Sequence, residues 1–203
     1  EPVRFEPDRT GFLPTEHQGL RFLADGKPLG ILEIGSSSIS VAFPYNLAPQ
    51  VNLTLEREGL LSNSIWLRTA AQSPRPLGIS GRSRLFVDAV FRGGELAGPS
   101  NPVRLGDVIT IYFSGAGALD RDVDPFVTLK SLPLPKPLVP ISAWLFHAGP
   151  QEVLYAGSML GQLPGVLQVN IRISGNQTDF GSQFIVVKFG EGAVVGLPIF
   201  LAP

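Results

Sequence analysis

The stretch LQVNIRIS, residues 167–174, decides the fold class. Leu167, Val169, Ile171 and Ile173 fall on one side of an extended chain, while Gln168, Asn170 and Arg172 fall on the other. A period of two with one apolar and one wet face is the pattern of a half-buried β-strand. Outward from it, ISVAFPY (39–45), VNLTLE (51–56), SIWLRTA (64–70), LFVDAVF (85–91), VITIYFS (108–114) and QFIVVKF (183–189) share the enrichment in β-branched and aromatic residues. The 23 Gly and 19 Pro fall between these runs and interrupt most windows of helical length. Many short strands separated by turn signals predict an all-β chain of antiparallel sandwiches.

At 203 residues the chain has room for one large or two small domains, each able to bury a core. A charged fraction of 16% and a net charge of -1 leave no electrostatic footprint for nucleic acid or an anionic membrane. Without Cys there is no disulfide framework, no thiolate nucleophile and no Cys-ligated metal. No run of about 18 apolar residues is present to span a bilayer as a helix. A first residue Glu1 in place of Met is read as a processed, exported product.

The chain also repeats. FLADGKPLGILEIGSS and the residues up to SIWLRTA run parallel to LFHAGPQEVLYAGSML and the residues up to LPIFLA. Each copy has a Gly-containing hairpin, an apolar strand ending in Gly, an alternating strand, a polar turn and further strands. RGGELAGPSNP (92–102) is a turn-forming connector, which places a boundary near Ser100. The expected organisation is an arm over 1–13, a first sandwich over 14–100 and a second over 101–203. The second copy is preceded by LGDVITIYFSGAG (105–117) and by a Pro-rich segment (118–142) expected to cross between sheets as an extended loop. The first copy has only EPVRFEPDRTGFLPTEHQG (1–19) in the corresponding place, with no evident opening strand.

GPQEVLYAG (149–157), LQVNIRI (167–173) and NPVRLGDVITIYFSGAG (101–117) together resemble the Solibacter-type C-terminal region of secreted acidobacterial proteins. The matching positions are Gly149, Val153, Tyr155, Ala156 and Gly157, then Gln168, Val169 and Asn170, then Gly106, Val108, Ile109 and Thr110. GKPLGILEIGSSSISVAFPY carries the same hairpin and strand in the earlier copy, so the resemblance extends from about residue 19 onward. It implies two tandem immunoglobulin-like sandwiches and an extracellular or cell-surface address, with no established activity. Leu167 stands where the family usually has Tyr, and the chain begins after the point at which the family's earlier copy has its opening strand.

Catalytic constellations are sparse. Only His17 and His147 are available as imidazole bases, and GISGR (78–82) breaks a Gly-x-Ser-x-Gly elbow at Arg82. Asp120, Asp122 and Asp124 alternate as a calcium loop begins, but Pro125 and Ser131 occupy the positions where Gly and Glu are needed; a solvated acidic loop is the better reading. Asn52 and Asn176 fit the glycosylation sequon, whereas Asn101 is followed by Pro102. Trp66 and Trp144 could stack on sugars, although each lies in an apolar run that favours core packing.

The N-terminal EPVRFEP carries the functional expectation. Val3 and Phe5 alternate with Arg4 and Glu6, and Pro2 and Pro7 confine the segment to a short edge strand. Set beside a sandwich short of a strand, Val3, Arg4, Phe5 and Glu6 are expected to donate that strand. The reading is a non-catalytic extracellular structural protein that needs no cofactor and partners other copies of itself head-to-tail in a fibre. The alternative is a monomeric surface module, recognising glycans, whose arm folds back on its own domain.

Overall fold

The computed structural model describes residues 2–77, 90–175 and 180–203. Among them every regular element is a strand and no helix occurs, so the all-β class is the class of the fold. Strands lie within each of the expected stretches at 39–45, 51–56, 64–70, 108–114, 167–174 and 183–189. Of the stretch 85–91 only Val90 and Phe91 are described, both in a strand. Residues 85–89, and GISGR with them, lie outside the described residues.

The chain divides into two compact units that are interleaved along the sequence. One comprises Glu1–Ala71, Asp122–Leu134 and Leu160–Gly165; the other comprises Gln72–Arg121, Pro135–Met159 and Val166–Pro203. The first division falls at Ala71–Gln72 and not near Ser100, because the short strands that precede Ser100 pair with the strand at 108–114. The Pro-rich segment is likewise divided, its middle, Asp122–Leu134, contributing to the first unit and both of its ends to the second.

In the first unit the strands are β1 (Val3–Arg4), β2 (Leu20–Ala24), β3 (Lys27–Pro28), β4 (Gly30–Ile34), β5 (Ile39–Ala42), β6 (Gln50–Arg57), β7 (Leu60–Leu61) and β8 (Ile65–Arg68). They form a three-stranded sheet β1-β4-β5 and a second sheet β3-β2-β6, with β7 and β8 following one another along the far edge of β6. Two tight hairpins fix the second sheet. Asp25-Gly26 joins β2 to β3 with φ of 48° and 76°, and Glu58-Gly59 joins β6 to β7 with φ of 51° and 82°. Two consecutive positive φ values are what a two-residue hairpin requires, and Gly at the second place accommodates them. Leu13, Leu23, Leu29, Ile31 and Val51 make the core of this unit.

In the second unit the strands are β9 (Arg75–Pro76), β10 (Val90–Arg92), β11 (Glu95–Leu96), β12 (Val108–Ser114), β13 (Ile141–Leu145), β14 (Gly149–Ser158), β15 (Leu167–Arg172), β16 (Gly181–Phe189) and β17 (Ala193–Leu201). Their order is β11-β10-β12-β15-β14-β13-β16-β17, with β9 beside β12. The long strand β14 belongs to two pairings: residues 149–151 lie against β13 and residues 152–158 against β15, with a register shift between Val153 and Tyr155. A bulged strand that changes partner is how one continuous sheet turns a corner. The alternation read in 167–173 holds, with Leu167, Val169, Ile171 and Ile173 fully buried and Arg172 exposed. Ile109, Ile111 and Phe113 on β12 are buried with Ile185, Val187 and Phe189 on β16.

Candidate assembly site

The arm's seat is built from β4 outward. One edge of β4 pairs with β5 over Gly30↔Ala42, Ile31↔Val41, Glu33↔Ser40 and Ile34↔Ile39. The opposite edge is shared between two segments. The Ile31 amide donates to the Pro14 carbonyl at 2.7 Å, and beyond it the arm takes over. Val3 pairs with Ile34, Arg4 with Glu33, and the Phe5 amide donates to the Leu32 carbonyl at 2.9 Å. Residues 3–5 thus satisfy the part of the β4 edge that Pro14 leaves open.

Two side-chain contacts supplement the ladder. Arg4 Nε donates to Glu33 Oε2 at 2.9 Å, an exposed ion pair of small value. The Phe5 ring meets the His17 ring edge to face, with centroids 4.8 Å apart. Glu6, the last residue of the expected donor segment, is exposed and follows the final main-chain bond. The arm is therefore seated on a strand of its own unit.

The link behind the arm is a compact turn. Asp8 Oδ1 accepts from the Thr10 amide at 2.8 Å, the Thr10 hydroxyl at 2.6 Å and the Phe12 amide at 3.0 Å. These bonds, the Thr10 hydroxyl first, hold the Asp8 carboxyl below its ordinary value. After the turn, the Leu13 amide donates to the Phe126 carbonyl at 2.9 Å, and Phe12 and Val127 form an antiparallel bridge. A Cβ on Gly30 would lie 3.0 Å from the Phe126 ring and 3.1 Å from Leu13, so β4 can begin here only with glycine unless a neighbour gives way.

The other singled-out residues are dispersed. Asp120 Oδ1 accepts the Lys136 amide at 3.0 Å and Arg121 Nε at 3.4 Å, and the Lys136 bond is the larger cause of its lowered pKa. Asp124 Oδ1 accepts the Phe126 amide at 2.9 Å, as a turn-capping carboxylate does. Asp122 is exposed. No group of three His, Asp or Glu side chains among the described residues is placed to hold a metal ion. His17 lies against Phe5 and His147 against Phe146, each edge to face.

Asn52 sits in mid-strand on β6. Its amide is held by Asp25 Oδ1 at 2.9 Å, and its own Oδ1 is shielded from solvent without a hydrogen-bond partner among the described residues. Asn176 lies outside the described residues.

Both tryptophans correct the expectation of core packing. Trp66 is 61% exposed on β8, where Ile65, Leu67 and Arg68 are exposed as well. Trp144 is 40% exposed on β13, between the buried Ala143 and Leu145. An apolar run reports strand-forming residues; it does not report that β8 is an edge, or that the face of β13 bearing Trp144 is uncovered. Cross-strand register places further apolar residues beside Trp144. It pairs with Val186, while the Phe146 amide donates to the Phe184 carbonyl and Phe184 pairs with Pro198. Trp144, Phe146 and Phe184 thus share one outward face, with the Phe184 ring 3.9 Å from where a Cβ on Gly196 would stand.

No family model, no curated protein and no solved structure matches this chain.

Proposed function

We propose that the protein is a non-catalytic extracellular structural subunit, built of two immunoglobulin-like sandwiches and joined to other copies head-to-tail by β-strand addition. The observation that carries this reading is the arm's seat on the edge of β4. Its ladder bonds, the Arg4–Glu33 pair and the Phe5–His17 contact all join residues N-terminal to the Asp8 turn to residues C-terminal to it. An arm supplied by another copy could remake each of these contacts, which is the condition for exchange of an identical element between protomers. The resemblance to the acidobacterial secreted region supports the immunoglobulin-like description and the extracellular address.

Because the chain has no Cys, engineered thiols report the source of the arm directly. Arg4→Cys in one preparation is mixed with Glu33→Cys in another under mild oxidation. Mixed disulfide dimers are the expected product, since only an arm from a second copy joins the two. If the double variant closes efficiently within single chains while the mixture yields no mixed dimer, the arm acts within its own chain and the fibre reading fails.

A second reading is favoured by the uncovered aromatic face of β13 and β16. Trp144, Phe146 and Phe184 on one surface are the kind of stacking platform on which a monomeric glycan-binding module relies. Retention on insoluble polysaccharide that disappears in Trp144→Ala, with no self-association, would favour it.

A further inference from the structure

We propose that the face of β12, β15 and β14 turned away from the core binds an uncharged saccharide, with Asn170 and Gln168 as its hydrogen-bonding floor and Tyr112 and Tyr155 beside them. Thr110 and Tyr112 alternate on β12 with the buried Ile109, Ile111 and Phe113. Gln168 and Asn170 alternate on β15 with the buried Leu167, Val169 and Ile171. All four therefore lie on the face opposite the core, where each is half-buried. Register sets them in two rows. Phe91, Thr110, Asn170 and Tyr155 lie side by side across four strands, and Tyr112, Gln168 and Gly157 form the next row. The strands that carry the two tyrosines flank the amides, each one spacing of about 4.8 Å away.

The polar groups are ordered in advance of any ligand. Asn170 Oδ1 accepts from the Thr110 hydroxyl at 3.1 Å and from the Gln168 amide nitrogen at 2.9 Å. Two donors on one oxygen fix the Asn170 amide, so its nitrogen is turned away from them with its hydrogens still to donate. Gln168, held through its nitrogen, keeps Oε1 as an acceptor. The Asn170 amide nitrogen, Gln168 Oε1 and the Tyr112 hydroxyl have no hydrogen-bond partner among the described residues, and none is sealed from solvent as Asn52 Oδ1 is. Holding two amide side chains in one orientation costs conformational entropy, and the return is a donor and an acceptor already positioned for a ligand. The rings are fixed as well. Tyr155 lies against Gly157 with its hydroxyl engaged by the Ser158 carbonyl at 2.6 Å, so it offers a ring surface and not a polar group. Tyr112 leans on Phe91, with centroids 5.6 Å apart.

These groups select the ligand by their chemistry. Neighbouring hydroxyls, each both donor and acceptor, match an amide donor set beside an amide acceptor, and the C–H faces of a pyranose match the tyrosine rings. A charged ligand finds no counter-charge, because the adjoining row holds Arg172 and Glu152, which pair with each other at 2.9 Å. A wholly apolar ligand would strip water from Asn170 and Gln168 and replace none of their hydrogen bonds. The site uses neither the arm nor Trp144, so it stands or fails independently of both readings above.

The test is a ¹⁵N NMR titration of the full chain with the methyl glycosides of glucose, galactose, mannose and N-acetylglucosamine, each to about 20 mM, since a few hydrogen bonds and a ring contact correspond to affinity in about the millimolar range. At least one glycoside should shift the side-chain amide signals of Asn170 and Gln168, and glycerol at equal concentration should not. Asn170→Leu and Gln168→Met keep the size of each side chain and remove its free polar group, and each should weaken binding by about tenfold or more. Amide signals at 170 and 168 that stay unmoved with all four glycosides overturn the proposal. So does an equal response to glycerol, or binding of wild-type strength in both variants. Shifts of the Trp144 indole signal with those amides unmoved overturn it too, and assign the sugar to the aromatic face of β13 and β16. The wild-type titration decides by itself, so a variant that fails to fold leaves the result intact.

Discussion

Phe113 on β12 and Phe189 on β16 meet edge to face, with ring centroids 5.0 Å apart and planes at 77°. Both rings are fully buried, so the core of the second unit is closed by two strands more than sixty residues apart in sequence. Phe113→Ala should cost about 3–5 kcal/mol, the usual range for emptying a buried aromatic site, and Phe113→Leu should cost less. Urea unfolding of the two variants checks the order; equal stability would mean that the contact closes nothing.

Asp107 predicts a pH dependence. Burial alone would raise its pKa, but the Arg104 amide, at 2.8 Å, and the Arg92 guanidinium outweigh burial and hold it below its ordinary value of 3.8. A carboxylate with a depressed folded pKa contributes stability that is present above the unfolded pKa and is lost as pH falls through the folded one. Stability measured at pH 7 and at pH 3 should therefore fall, and Asp107→Asn should lose about 1–2 kcal/mol at pH 7 while falling less between the two. A variant with the same acid slope as wild type would show that Asp107 does not contribute to it.

The sequence was informative where one strand's own pattern suffices. β12 and β15 are legible because each buries one face throughout and alternates without a break. β14 is less so, since Gly149 and Pro150 open it and a register shift divides it between two partners. The arm is legible as an extended segment from its two prolines, but the identity of its seat is not, because Ile34, Glu33 and Leu32 carry no mark that their other edge is open. The exposure of Trp66 is invisible for the same reason: hydrophobicity of a run and position in a sheet are independent facts.

The two tryptophans are the chain's only ones, so intrinsic fluorescence reports on them alone. With Trp66 61% and Trp144 40% exposed, emission of the dilute protein should lie close to that of the urea-unfolded chain and be readily quenched by acrylamide. A strongly blue-shifted, protected emission at low concentration would contradict this placement.

The arm predicts an order of effects. Phe5→Ala removes a half-buried ring from His17 and should destabilise the first unit by about 1 kcal/mol. Arg4→Ala removes an exposed ion pair and should cost no more than about 0.5 kcal/mol. Thermal unfolding of both variants reads the order, and a larger loss for Arg4→Ala would show that the ring contact does not hold the arm.

Tyr155 and Gly157 on β14 form a local device that can be tested as a pair. The Tyr155 hydroxyl donates to the Ser158 carbonyl at 2.6 Å, and the ring passes so close to Gly157 that an added Cβ would stand 2.7 Å from the hydroxyl oxygen. That Cβ would also lie 3.2 Å from the Pro135 carbonyl, while the Ser158 amide bonds to the same carbonyl at 2.8 Å. Gly157→Ala must then displace the phenol and break its bond, at a cost of about 1–3 kcal/mol. Tyr155→Phe alone should lose about 1 kcal/mol with its single hydrogen bond. Combined, the two should cost less than their sum, because removing the hydroxyl relieves the closest contact; a double-mutant cycle giving strict additivity would mean the two residues do not constrain each other.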